Sequence, residues 1–206
     1  MKRYLPLLLF VLPGALWAQS GELWIDAGAS ILATSDLGSP SPEGSPNDDH
    51  LGDGFRIGLR FDYNSAGRFG HELQYAYNPT DVNDTTGLLI PPGKSTAGGI
   101  NQFGYNLLYY FNAKTGEAKV RPFVTVGLHL NDYVLPYTAT NRDNGDSFRP
   151  GFNYGGGVKF RLSRLFGWRF DVRAYDAMKP NWSGLFYKQG GLLQQFEVSA
   201  GFGFYF

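Results

Sequence analysis

The chain has 206 residues, a length that suits one domain. Its 18 Lys+Arg match 18 Asp+Glu, so the basic excess of a nucleic-acid binder is absent, and with no Cys there is no disulfide framework, thiolate metal site or cysteine nucleophile. Aromatics reach 17% and Gly numbers 28, too aromatic for disorder, while a mean hydropathy of −0.25 is too low for helical membrane spans.

Residues 1–18 read as a secretory leader. Lys2 and Arg3 precede an uncharged, mostly apolar stretch from Tyr4 to Trp17, and Ala18 offers a cut site. Residues 19–206 then read as one domain. Helical spacing is scarce in it, and two-residue alternation recurs over 22–34, 54–63, 69–78, 99–112, 119–133, 150–162, 168–178 and 193–206. A tilted membrane-crossing strand needs about 9–11 residues, which these runs match or slightly exceed. The connections alternate strictly. Residues 35–53, 79–98, 134–149 and 179–192 are long links; residues 64–68, 113–118 and 163–167 are short ones. Outer-membrane barrels have this layout, with short periplasmic turns and long outer loops.

Each run has an apolar and a polar face. The first sets Ile25, Ala27, Ala29 and Ile31 against Asp26, Gly28 and Ser30. The second sets Phe55, Ile57, Leu59, Phe61 and Tyr63 against Arg56, Gly58, Arg60 and Asp62. The third and fourth set Leu73, Tyr75, Phe103, Leu107 and Tyr109 against Glu72, Gln74, Gln102 and Asn106. In the fifth, Val124, Val126 and Leu128 oppose Arg121, Thr125 and His129; in the sixth, Phe152, Tyr154 and Phe160 oppose Asn153, Lys159 and Arg161. The seventh sets Trp168, Phe170, Val172 and Ala174 against Arg169, Asp171, Arg173 and Tyr175, and the last sets Phe196, Val198, Phe202, Phe204 and Phe206 against Gln195, Glu197 and Ser199.

Alternation alone leaves open which face points inward. Two features favour apolar-out. Most strand glycines fall on the polar face, where a strand gains nothing from them in water but a narrow lumen gains room. Apolar-face aromatics gather near the short turns, among them Tyr63, Phe69, Tyr109, Phe111, Trp168 and Phe204, as an interfacial girdle would. The expected fold is therefore all-β, an eight-stranded antiparallel up-and-down transmembrane barrel. Its lumen is expected to hold an ion-pair network of Arg56, Arg60, Asp62, Glu72, Lys159, Arg161, Arg169, Asp171, Arg173 and Glu197, with Asp26 and Arg121 on the same face. An eight-stranded interior is just wide enough for side chains to fill, so these charges must pair with one another or with trapped water.

The segments VRPFVTVG (120–127), YGGGVKFRL (154–162), WRFDVRAY (168–175) and FEVSAGFGFYF (196–206) resemble the OmpA-like outer-membrane β-barrel domain family, and the likeness runs over the whole mature chain. The resemblance implies a bacterial outer-membrane location and recognition of the terminal Phe206 by the barrel-assembly machinery. Unlike some relatives, the chain ends at the barrel, so no periplasmic peptidoglycan-binding module is expected.

Other constellations are weaker. His71 and His129 could serve a lipid-hydrolysing site, but neither lies in a recognisable His–Ser pair. Asp48, Asp49 and Asp53 in the first long link lack the spacing of a calcium loop, and a solvated, mobile link is expected there. Gly155–Gly157 is followed by no helix, so a phosphate cradle is not expected. The sequence reading is thus a non-enzymatic, monomeric outer-membrane barrel with no metal or cofactor. Its partners are membrane lipid and lipopolysaccharide, the assembly machinery, and an extracellular ligand met by four long loops. The alternatives are a narrow channel or small-molecule conduit, a lipid-modifying enzyme, and a soluble exported barrel.

Overall fold

The computed structural model describes residues 20–39, 41–44, 49–65, 67–84, 87, 90–91, 94, 96–112, 118–136, 146–180 and 191–206. The expected leader lies outside the described residues. Ten strands are present: β1 (Ser20–Thr34), β2 (Asp36–Gly38), β3 (Asp49–Leu51), β4 (Gly54–Asn64), β5 (Phe69–Asp84), β6 (Ala97–Tyr110), β7 (Val120–Val134), β8 (Asp146–Arg161), β9 (Phe166–Met178) and β10 (Leu192–Tyr205). Eight of them, all but β2 and β3, form a closed antiparallel barrel in chain order. The seam joins the two ends of the chain, with Glu22 opposite Tyr205 and Ile31 opposite Phe196. Closure leaves these strands without an open edge, as hydrocarbon requires of every backbone N–H and C=O.

The eight expected runs coincide with the eight barrel strands, but β5, β6 and β8 reach two or more residues further outward than the alternation did. The β5–β6 ladder continues to Asp81 opposite Ala97, and the β7–β8 ladder to Val134 opposite Asp146. Beyond the membrane the outward face of β5 meets water, so Asp81 and Asn83 stand there while Asn78 and Thr80 are buried on the inward face beside Val82, and the polar–apolar alternation ends although the strand continues.

The link 35–53 differs from the expected solvated, mobile one. Its strands β2 and β3 pair with each other, and β3 adds to the outer end of β5, with Leu51 opposite Val82. Leu37 and Leu51 are thereby buried beside Val82, Ile90, Ile100, Tyr133, Leu135 and Leu193. This apolar cluster roofs the outer mouth of the barrel. Burying Leu37 and Leu51 supplies the free energy that holds the link. Asp53 accepts the Leu32 N–H at 2.7 Å and ties the link's end to β1; Asp49 is buried, and Asp48 lies outside the described residues.

The apolar faces point outward throughout. Val126, Leu128 and Val172 are 58%, 70% and 58% exposed, and their exposed neighbours continue around the wall. A soluble protein rarely presents so continuous an apolar surface, but a bilayer solvates it. Tyr63, Phe69, Phe111, Trp168 and Phe204 are exposed at the short-turn end, with Tyr109 half-exposed beside them. Their rings pack edge to face in places, as Phe69 does on Tyr109 and Tyr109 on Phe111. Tyr105, also on the outward face, reaches His71, whose Nδ1 lies 2.6 Å from its hydroxyl.

Candidate functional site: the lumen

The inward faces carry six buried cations, Arg56, Arg60, Arg121, Lys159, Arg169 and Arg173, and six buried anions, Glu22, Asp26, Asp62, Glu72, Asp171 and Glu197. The barrel wall thus encloses charges that sum to zero. Moving a charge out of water costs several kcal/mol, and only close pairing with good geometry offsets it.

Nearest the short turns, the Lys159 ammonium donates to Glu22 Oε2 at 2.5 Å, to Tyr110 Oη at 2.7 Å, and to Asp62. Those three bonds use all three of its protons. Glu22 also accepts from Trp24 Nε1 at 2.9 Å and Asn64 Nδ2 at 2.7 Å. Arg121 lies 3.7 Å above the Tyr110 ring and 3.7 Å from Glu22, its charge met by a π face and a carboxylate.

Midway along, Arg169 spans three carboxylates: Asp171 at 2.6 Å, Asp62 at 2.8 Å and Glu72 at 2.5 Å. Arg173 joins Glu72 at 2.7 Å to Asp171 at 2.8 Å. Arg60 binds Asp26 at 3.0 Å and Glu197, and lies within 3.8 Å of Asp171. Toward the long loops, Glu197 meets Arg56 at 3.1 Å and accepts from Tyr175 Oη at 2.7 Å and from Ser199. Gln102 accepts from Arg56 and donates to Asn131 Oδ1 at 3.0 Å, and Asn131 donates to Tyr133 in the apolar roof at 3.0 Å. One continuous network therefore runs from the short turns to the roof.

Register makes room for it. Trp24 stands over Gly203 of the neighbouring strand, Phe123 over Gly157, and Arg173 over Gly155; a Cβ at any of these glycines would clash. Glycine on the polar face was expected to clear space for Arg and Lys. It does so for Arg173, but aromatic rings and amides take more of the seats.

Of the residues expected in the network, Arg56, Arg60, Asp62, Glu72, Lys159, Arg169, Asp171, Arg173 and Glu197 are brought together as described. Arg161 is not. It stands at the barrel rim, donates from Nε and Nη2 to the carbonyls of Ser163 and Arg164 at 3.2 Å each, and lies 4.5 Å from the Tyr205 ring. Its inward parity is correct, but β8 ends there, so the side chain meets turn carbonyls before it reaches the lumen. Sequence reasoning missed Glu22, Trp24, Tyr110 and Phe123. An aromatic on the polar face of a strand gives no sign of itself until the register shows the glycine opposite. Among the described residues neither His71 nor His129 is paired with a Ser or Thr hydroxyl: His71 faces lipid beside Tyr105, and His129 is buried in the lumen against the Tyr175 ring at 5.3 Å.

A closed barrel with lipid-facing aromatics and a charged lumen defines the class, a small outer-membrane β-barrel. The sequence agrees: the family model for the outer membrane protein beta-barrel domain matches residues 5–206, and the chain belongs to that family. The chain is similar in fold to Neisserial surface protein A (TM-score 0.60, 18% identity), with 89% of this chain and 96% of that one covered. It is also similar to OprG from Pseudomonas aeruginosa (TM-score 0.50, 16% identity, 90% and 96% covered). A third likeness is to the outer membrane protein AlkL, determined in lipid bilayers (TM-score 0.50, 14% identity, 100% and 97% covered). No curated protein matches the sequence. The bacterial outer membrane is thus the location of this barrel.

Proposed function

We propose that the barrel is a sealed, non-conducting scaffold that acts through the long loops it holds outside the cell. The observation that carries this reading is the filled lumen: a charge-balanced network spans it, and the roof formed by Leu37, Leu51, Val82, Ile90, Ile100, Tyr133, Leu135 and Leu193 closes its outer end. A conducting pore needs a continuous wet path, and paired side chains joined to an apolar roof oppose one. The barrel would work as a monomer, since its wall faces lipid all round, with membrane lipid and lipopolysaccharide as its surroundings and an extracellular ligand at the loops. Catalysis has no support, because neither lipid-facing His71 nor lumenal His129 is hydrogen-bonded to a Ser or Thr hydroxyl among the described residues. Phe206, whose ring reaches across β1 to lie 6.1 Å from Phe61 of β4, would be the residue the assembly machinery reads.

A second reading, a narrow water or proton path, has one observation in its favour. Asn106 Oδ1, both amide atoms of Asn153 and both ring nitrogens of His129 are buried without a hydrogen-bond partner among the described residues. Such groups call for water, which would lie along the β6–β8 wall. Planar-bilayer recording separates the two readings. The purified barrel should insert without steady current, and persistent ohmic openings would establish the channel instead.

A further inference from the structure

The short turns carry a feature the lumen does not explain. An open cavity of about 460 Å³ lies at the foot of β7 and β8, lined by Lys119, Arg161, Leu162, Ser163 and Arg164. Three of those five residues are cationic. Arg161 is braced by the Ser163 and Arg164 carbonyls, which fixes its charge at the rim. Lys119 and Arg164 make no ion pair among the described residues. Ser163 Oγ accepts the N–H groups of Leu165 and Phe166 at 3.2 and 3.0 Å, which leaves its own proton to donate. Beside the basic groups, Leu162 and Leu165 are 61% and 59% exposed at the edge of the lipid-facing wall.

We propose that this cavity binds the phosphodiester headgroup of an anionic phospholipid in the periplasmic leaflet. Short turns of such barrels lie on the periplasmic side, and there the surrounding leaflet is phospholipid. Basic side chains at a membrane border attract anionic headgroups, and guanidinium forks match phosphate oxygens. Lys119, Arg161 and Arg164 hold the phosphate, Ser163 donates one hydrogen bond, and Leu162 and Leu165 lie against the acyl chains. The combination of basic groups and exposed leucines in one turn selects a lipid over a free anion.

Native mass spectrometry of the folded chain in detergent tests this, with phosphatidylglycerol or phosphatidylcholine added separately. The native chain should retain phosphatidylglycerol at ~ten-fold lower lipid concentration than phosphatidylcholine. The double variant Lys119→Gln/Arg164→Gln should bind both alike while still showing the gel shift of a folded barrel; Arg161 is left intact because it braces the turn. Equal retention of the two lipids by the native chain would overturn the assignment. So would an undiminished preference in the double variant, or displacement of phosphatidylglycerol by millimolar inorganic phosphate.

Discussion

Replacing Arg169 by Leu should lower the unfolding free energy of the barrel by about 3–5 kcal/mol, the usual cost of removing one partner from a buried ion pair. Arg169 is the residue on which the middle of the lumen converges, bonding Asp62, Glu72 and Asp171 at 2.8, 2.5 and 2.6 Å. Without it the lumen holds one uncompensated negative charge and three carboxylates each short of a donor. Lys159 cannot compensate, since its protons already serve Glu22, Asp62 and Tyr110. The double change Arg169→Leu/Asp171→Leu restores the charge balance and should be more stable than Arg169→Leu alone. Arg173 would then lose Asp171 but keep Glu72 at 2.7 Å. Urea unfolding of vesicle-embedded protein, followed by tryptophan fluorescence, to which lumenal Trp24 contributes, reads both variants. Equal midpoints for native and Arg169→Leu chains would show that the network does not hold the barrel.

The second large effect lies on the opposite face. Val126 is 58% exposed, halfway along β7, between Leu107 of β6 and Tyr154 of β8. Val126→Arg should cost about 2–4 kcal/mol, the penalty for Arg at the bilayer midplane. Leu165→Arg, on a residue equally exposed but set in a short turn, should cost only about 0–1 kcal/mol. The contrast depends on depth in lipid, because both residues are similarly exposed on the isolated chain. A soluble barrel in water would tolerate both changes about equally, and the same unfolding measurement would show it.

Much of this arrangement is legible in the sequence, for one physical reason. Wherever one face of a strand meets hydrocarbon and the other a polar lumen, the two-residue period is strong, and Arg169, Asp171 and Arg173 facing away from Trp168, Phe170 and Val172 set the register of β9. The signal fades where that difference in surroundings ends. Above the membrane β5 continues from Asn78 to Asp84 with polar Asp81 and Asn83 on its outward face and Asn78 and Thr80 buried beside Val82 on the other, so its outer end reads as loop. The link of β2 and β3 carries two leucines whose partners are far along the chain, Val82 and Leu193 among them, and no local pattern announces a roof built from three links and the strand ends beside them. Inside the lumen, charge is easy to assign by parity, but Trp24 and Phe123 are not, because their seats over Gly203 and Gly157 exist only once neighbouring strands are in register. Arg161 marks the other limit: parity gives a side chain its direction and leaves its height undecided, and at the end of β8 height placed it among turn carbonyls.

The absence of native cysteine permits a clean test of the central claim, that lipid lies on one side of the wall and a sealed polar interior on the other. Three consecutive residues of β7 suffice: Val124 and Val126 face outward, and Thr125 is buried in the lumen with its hydroxyl donating to the Leu107 carbonyl at 3.0 Å. Each is changed singly to Cys and the folded protein is challenged in vesicles with a lipid-soluble maleimide and with a small water-soluble thiol reagent. The predicted result is reaction of Val124→Cys and Val126→Cys with the lipid-soluble probe only, and of Thr125→Cys with neither until the barrel is unfolded. Ready labelling of Thr125→Cys from water in the folded state, or protection of the other two from the lipid-soluble probe, would contradict the account.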